Sequence, residues 1–185
     1  MSTLKSINPA NEQVFAEFQE ISLSKVKHII LESSSAQNQW AKIDIKNRIK
    51  IISEVKKMIL KYKRQYAEII TMEMGKPILE SIAEIEKCAL LCEYYENNSE
   101  KFLKDKSLKS NAVTSFVSYE PLGIVFGIMP WNFPFWQVFR FAIPSLTVGN
   151  GVVLKHSSNV QGCAIAIEKC FTDAGYYENI FSNLR

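Results

Sequence analysis

The run from Ile124 to Met129, I-V-F-G-I-M, constrains this chain more than any other stretch. It is bounded by Gly123 and Pro130, is too short for a buried helix, and is continuously apolar rather than alternating. Such a run suits a strand covered on both faces, as the strands of a parallel sheet are. A helical period follows over Phe135–Val148, then the turn Gly149-Asn150-Gly151 and a second apolar strand, Val152-Val153-Leu154, ending at Lys155. Another helix over Val160–Asp173, stopped by Gly175, leads to a strand around Asn179–Phe181. Strand, helix, strand, helix, strand predicts an α/β fold on a parallel half-sheet flanked by helices.

The first hundred residues read as helical. After a short opening segment, Ile7-Asn8-Pro9-Ala10, Ser24 is the expected N-cap of a helix whose apolar side is Val26, Ile29, Ile30 and Ala36, up to Trp40. Asp44 caps a second helix in which Ile45, Ile49, Ile52, Val55, Ile59, Tyr62, Tyr66 and Ile69 recur at helical spacing to about Met74. Gly75 followed by Lys76-Pro77 is a stop and restart. Ile78, Ile82, Ile85, Ala89 and Cys92 carry a third helix that fades near Asn97-Asn98. From Ser107 the period changes to two: Val113, Ser115, Val117 and Tyr119 alternate with Thr114, Phe116 and Ser118, as in an exposed or edge strand.

Composition excludes several partner classes. Apolar residues are 47%, charged residues 22%, and the formal charge of +3 is too small and scattered for a nucleic-acid or membrane surface. Lys56, Lys57, Lys61, Lys63 and Arg64 read as the solvated side of a helix. No apolar run of about 18 residues and no basic-then-apolar leader is present, so a cytoplasmic location is expected. The four cysteines fit that compartment: Cys88 with Cys92, and Cys163 with Cys170, lie along single helix faces without C-x-x-C spacing. They read as buried small side chains. With only His28 and His156, far apart, no metal site is expected.

In parallel α/β sheets ligands bind beyond the carboxyl ends of the strands. Two loops meet that condition, Met129–Phe133 and Lys155–Asn159. The first carries Trp131 and Asn132 between Pro130 and Pro134. An uncharged amide held by prolines can donate to a developing alkoxide without a proton transfer. Equally, Asn132 can simply cap the following helix.

The P-W-N-F-P loop, the G-N-G-V-V-L-K strand, the S-I-N-P-A opening, M-E-M-G-K-P at 72–77 and Y-E-P-L-G at 119–123 occur in order and at family spacing. In these the chain resembles the aldehyde dehydrogenase superfamily over essentially its whole length. The resemblance implies the N-terminal part of that fold, with a Rossmann-like half-sheet. Residues 1–106 would be the helical part of the cofactor-binding domain, 107–120 an extended segment and candidate oligomerisation arm, and 121–185 the first part of the NAD(P)-binding domain. It implies Asn132 as the oxyanion-hole residue and Lys155 as the contact to the adenosine ribose. Met129, Pro130, Trp131, Asn132, Ser157 and Ser158 complete the expected cofactor-binding set.

Within the superfamily, P-W-N-F-P-F-W-Q-V-F-R and L-K-H-S-S-N-V-Q-G-C-A are most similar to succinate-semialdehyde dehydrogenases. That implies Arg140 as the partner of the substrate carboxylate, with Gln137 one turn before it. An arginine among Val138, Phe139, Phe141, Ala142 and Ile143 is costly unless paired with substrate; the alternatives are an internal ion pair or a surface-facing side chain. Many NAD-preferring members carry a glutamate where this chain has Ser158, so NADP, or use of both cofactors, is expected. His156 is expected to be a neutral spacer. The resemblance also places the glycine-rich turn, the general-base glutamate and the nucleophilic cysteine after Arg185. The expectation is therefore an incomplete chain without the catalytic domain, inactive alone, from a homo-oligomeric parent oxidising succinate semialdehyde. The alternative is a non-catalytic nucleotide-binding or docking partner for a complementary C-terminal chain.

Overall fold

A computed structural model describes residues 3–185. The element order is β1 (Thr3–Asn8), β2 (Gln13–Gln19), α1 (Leu23–Trp40), α2 (Ile45–Lys61), α3 (Lys63–Met74), α4 (Ile78–Phe102), β3 (Lys106–Ser107), β4 (Phe116–Val117), β5 (Ile124–Met129), α5 (Pro134–Thr147), β6 (Gly151–His156), α6 (Gln161–Asp173) and β7 (Phe181–Leu184). β5, β6 and β7 form a three-stranded parallel sheet in that order, with Ile124 opposite Gly151 and Val152 opposite Phe181. The α/β reading of the sequence holds.

Side-chain parity decides which helices cover which face. A Cβ on Gly151 would meet Ile124 and Gln37 of α1, whereas one on Gly127 would lie 2.4 Å from the Phe141 ring of α5. α1 therefore covers one face and α5 the other, with α6 packed beside α5 and α2, α3 and α4 forming a further layer behind them. Trp40, Ile52, Phe135, Phe139, Phe171 and Leu154 are fully buried between these layers. Burying side chains of this size at roughly 25 cal/mol per Å² is the main term favouring the fold.

The G-N-G turn is the joint between the first two strands. Gly149 has φ +100, and an added side chain there would meet Arg48, Ala41 and Pro121. Asn150 Oδ1 accepts from the backbone of Leu122 (2.7 Å) and Gly123 (3.1 Å), tying the approach of β5 to the start of β6. Gln37 donates to Gly149 O at 3.0 Å and Trp40 Nε1 to Leu146 O at 2.8 Å, so α1 holds the same corner.

Several local expectations are corrected. β5 is not covered on both faces: Phe126 and Ile128 are 54% and 72% exposed, because α1 lies over β6, β7 and only the beginning of β5. The opening segment is an antiparallel hairpin, β1 with β2, in which Ser6 is the only buried residue. With so little burial it carries no apolar alternation to read. Ser22, not Ser24, caps α1, accepting from Lys25 N at 3.3 Å. Asp44 does cap α2, but the long helix breaks at Tyr62 (φ −103), across which the apolar stripe continues unchanged. α4 outlasts Asn97-Asn98 because Asn98 and Ser99 bond back to the carbonyls of Tyr94 and Tyr95. Over 107–120 the ladder is short: Phe116–Val117 pairs with Lys106–Ser107, and Leu108 N donates to Ser115 O at 2.8 Å. The last strand begins at Phe181, since Asn179 is left-handed at φ 65.

The basic side of α2 and α3 does more than face water. Lys56 pairs with Glu96 and Lys63 with Glu86, both at 2.6 Å, lacing these helices to α4. Pairs so exposed are worth well under about 1 kcal/mol each. A stronger tie is buried. Glu73 of α3 accepts from Ser6 Oγ and from the backbone N–H of Gly162 (2.7 Å) and Cys163 (2.8 Å) at the start of α6. Next to it, Gly75 closes α3 at φ 78 with Pro9 packed on its Cα, so the S-I-N-P-A and M-E-M-G-K-P segments interlock.

This contact explains a glycine. A Cβ on Gly162 would sit 2.8 Å from Glu73 Oε1 and 3.1 Å from its Cδ. Gly162→Ala should force the carboxylate off the α6 amides and lower unfolding stability in urea by about 1–3 kcal/mol, despite alanine's better helix propensity. An unchanged midpoint would show that Glu73 does not hold that helix end.

Candidate functional site

β5 and β6 end level, Met129 opposite His156, and their following loops diverge to leave a crevice of about 460 Å³. Ile128, Met129, Pro130, Trp131, Lys155, His156, Ser157 and Ser158 line it. Of the expected cofactor-binding residues, six come together here: Met129, Pro130, Trp131, Lys155, Ser157 and Ser158. Asn132 is exposed on the same loop but outside the crevice lining, and Gln137 and Arg140 lie further along α5.

Hydrogen bonds from Ser157 and His156 join the two loops beneath the crevice. Ser157 N donates to Met129 O at 3.0 Å, and Ser157 N also reaches the Nδ1 of His156 at 2.9 Å. With Nδ1 accepting, the ring proton sits on Nε2, which donates to Pro134 O at 2.9 Å. His156 thus bridges the two loops as a buried, neutral ring, and burial holds its pKa below the ordinary value. It is a spacer, as expected, but one with an assigned tautomer and a structural load.

The chemistry of the lining is cationic at one point and otherwise neutral. Lys155 and Ser158 are exposed, while the Ser157 hydroxyl is committed to Asn159 Oδ1 at 2.7 Å. No carboxylate lines the crevice. An ammonium beside a free hydroxyl, with a half-exposed indole across from it, suits a phosphorylated ribose carrying a flat base.

The Asn132 loop is fixed from below. Pro134 opens α5 at its first turn, and no side chain from the N-cap residue Phe133 caps the helix. That role falls to Glu84 of α4, whose Oε1 accepts from Phe135 N (2.9 Å) and Trp136 N (3.0 Å). Asn132 is therefore not the cap of α5, and its amide projects from the loop. Glu84 is itself paired with Lys76, whose Nζ lies 3.7 Å from the centroid of the Phe133 ring.

Glu84, Lys76 and Glu73 were not among the expected site residues. A signal for Glu84 existed: it falls on the buried stripe of α4 with Ser81, Ile85 and Cys88. Arg140 takes the surface-facing alternative. It is exposed and forms no ion pair among the described residues, because it points away from the apolar stripe of α5 rather than into it. The four cysteines are buried, and burial raises every one of their thiol pKa values, that of Cys170 to about 12. None of them is a thiolate nucleophile.

Comparison with known proteins bears on this geometry. The family model described as "Aldehyde dehydrogenase family" matches residues 1–184. A probable succinate-semialdehyde dehydrogenase (NADP+) of Synechocystis sp. is 38% identical over 181 residues, covering 98% of this chain and 40% of that protein. A succinate semialdehyde dehydrogenase (NAD(P)+) of Escherichia coli is 34% identical over 176 residues, covering 95% of this chain and 38% of its own length. The structure of succinic semialdehyde dehydrogenase from Streptococcus pyogenes in complex with NADP+ superposes with a TM-score of 0.94 at 27% identity, covering 98% of this chain and 40% of that one. The chain thus spans about 40% of the length of the curated relatives it matches. No helix among the described residues is long and apolar enough to cross a membrane.

The buried histidine makes stability depend on pH. The folded chain favours the neutral ring, so the unfolded chain takes up the proton first, at its ordinary 6.5. The stability is full above that value and falls as pH drops through it towards the lower folded pKa. Between about pH 7.5 and about pH 5.5 the wild type should lose unfolding free energy faster than His156→Gln. Parallel urea midpoints across that range would show that the ring is not held neutral.

Proposed function

Because the chain belongs to the aldehyde dehydrogenase family, we propose that it serves the NADP-dependent oxidation of succinate semialdehyde to succinate, supplying the cofactor crevice and the oxyanion donor. The observation that carries this reading is the crevice at the ends of β5 and β6, with Lys155 and Ser158 exposed and no carboxylate in its lining. A glutamate there would repel a 2′-phosphate; a lysine and a serine hydroxyl attract one. NADP+ in the Streptococcus pyogenes structure and the NADP+ named for the Synechocystis relative support the same preference, while the Escherichia coli relative is named for use of either cofactor.

In this reading Lys155 and Ser158 hold the phosphorylated ribose, while Ile128, Met129, Pro130 and Trp131 provide the apolar wall. When bound, the cofactor supplies the hydride acceptor. Asn132 donates its amide N–H to the oxygen that becomes negative as a thiolate adds to the aldehyde carbon, and its prolines keep the reorganisation cost low. In this reading the thiolate is supplied by a residue other than the four cysteines here, each of which is buried with its thiol pKa raised. Arg140 and Gln137 present the far end of the substrate with a cation and an amide. The exposed, unpaired state of Arg140 supports this better than an internal ion pair would.

The uncovered Phe126 and Ile128 favour a second reading in which this chain docks onto a complementary catalytic segment without itself contacting the aldehyde. The two readings separate in an enzyme completed with the matching C-terminal portion of the Synechocystis relative. If the first holds, the completed enzyme reduces NADP+ with succinate semialdehyde and the 185-residue chain alone does not. Ser158→Glu then shifts preference towards NAD+ by adding charge repulsion. Arg140→Ala lowers kcat/KM for succinate semialdehyde by at least about tenfold and spares uncharged aldehydes of similar length. Equal losses on both substrates would remove Arg140 from substrate recognition, and an unaltered cofactor ratio would remove Ser158 from cofactor choice.

A further inference from the structure

We propose that the buried Lys76–Glu84 pair is the positioning device of the Asn132 loop, with the carboxylate setting the start of α5 and the ammonium setting Phe133. The proposal rests on reading Asn132 as the oxyanion donor. Both side chains are almost wholly buried, at 4% and 1% exposure. Stability alone does not account for such a pair, because removing two charges from water costs about as much as their attraction returns. What distinguishes this one is how its remaining valences are used.

Each atom of the pair has a separate task. Glu84 Oε1 takes the two first free amides of α5, Phe135 N and Trp136 N, and Oε2 takes Lys76. The Lys76 ammonium then lies on the face of Phe133, at a distance where a desolvated cation is attracted by the ring. Pro134 O is held by His156. Every residue from Phe133 to Trp136 therefore has one fixed contact, and Asn132 is the residue immediately before this clamped stretch. On the other side, Met129 O is bonded to Ser157 N. Asn132, with no capping duty, is placed by its neighbours. An oxyanion donor has to be held within a fraction of an ångström of its working position, which makes the clamp relevant to rate rather than to fold.

The division of labour between the two carboxylate oxygens gives the test. Glu84→Gln retains an oxygen for the two amides but turns an NH2 group towards the Lys76 ammonium, donor against donor. Combining it with Lys76→Met removes that conflict and leaves the cap without the cation. In the ¹⁵N-labelled chain, Glu84→Gln should raise amide exchange at Phe135 and Trp136 at least about tenfold and shift the Asn132 side-chain resonances. Backbone amides of Leu154 and Ile167 should keep their protection. The double variant should restore protection at Phe135 and Trp136 while Phe133 and Asn132 remain displaced. Lys76→Met alone, which leaves Glu84 its amides, should displace only Phe133 and Asn132. Unshifted resonances at Phe133 and Asn132 in the lysine variants, or exchange rising equally across the sheet, would overturn the proposal. In the completed enzyme, Lys76→Met should lower kcat about tenfold with the NADP+ KM within about twofold. A wild type without aldehyde activity would sink the dehydrogenase reading alone, since the loop measurement needs no catalysis.

Discussion

Two carboxylates from the helical layer hold the amino ends of the two helices that follow the strands. Glu73 closes α6 and Glu84 closes α5, each through two backbone N–H groups. Neither helix has a side-chain cap of its own, so these amides would otherwise be buried donors without acceptors. The cost of leaving one such donor unmet is about 1–3 kcal/mol, comparable with a sizeable share of a domain's net stability. The sheet, the loops and the crevice are all positioned through these two helix ends.

Closing both ends also changes the electrostatics. A helix amino end beside a parallel sheet is usually where an anion settles, drawn by free N–H groups and the helix dipole. Here that place is already taken by side-chain anions. In the proposed reading a phosphate entering the crevice would meet Lys155, a flexible point charge at a strand end, rather than the amides of these two helices. His156 keeps the two loops around Lys155 at a fixed separation while contributing no charge at neutral pH. Charge at the mouth and neutrality beneath it are separately encoded by adjacent residues.

Much of this was legible in the sequence. The parallel strands, their helices, the Asp44 and Gly75 caps and the burial of the cysteines follow from period and punctuation, which are local properties. The crevice lining was legible too, because strand ends in an α/β order determine where loops meet. What escaped was non-local. Glu84 reaches α5 across fifty-one positions and Glu73 reaches α6 across ninety, and no spacing rule spans such gaps. The hairpin β1–β2 escaped because a ribbon with so little buried surface has no reason to alternate. For Arg140 the sequence left the choice open, because an apolar neighbourhood in sequence is not one in space: Val138, Phe139, Ala142 and Ile143 turn inward along α5 while it faces out.

The open half of β5 is where the sheet can be extended. β5 is the outermost strand of its sheet, and Phe126 and Ile128 stand on its uncovered face. No proline, lysine or glutamate interrupts the strand between Ile124 and Met129. Among the described residues that edge has no partner strand, and an unpaired edge beside an exposed ring and an exposed aliphatic side chain is where an extended segment can add to the sheet. Addition there would extend the sheet by backbone pairing and cover Phe126 and Ile128 in the same step. One strand of six residues thus carries two surfaces, one packed under α5 and one left for a neighbour.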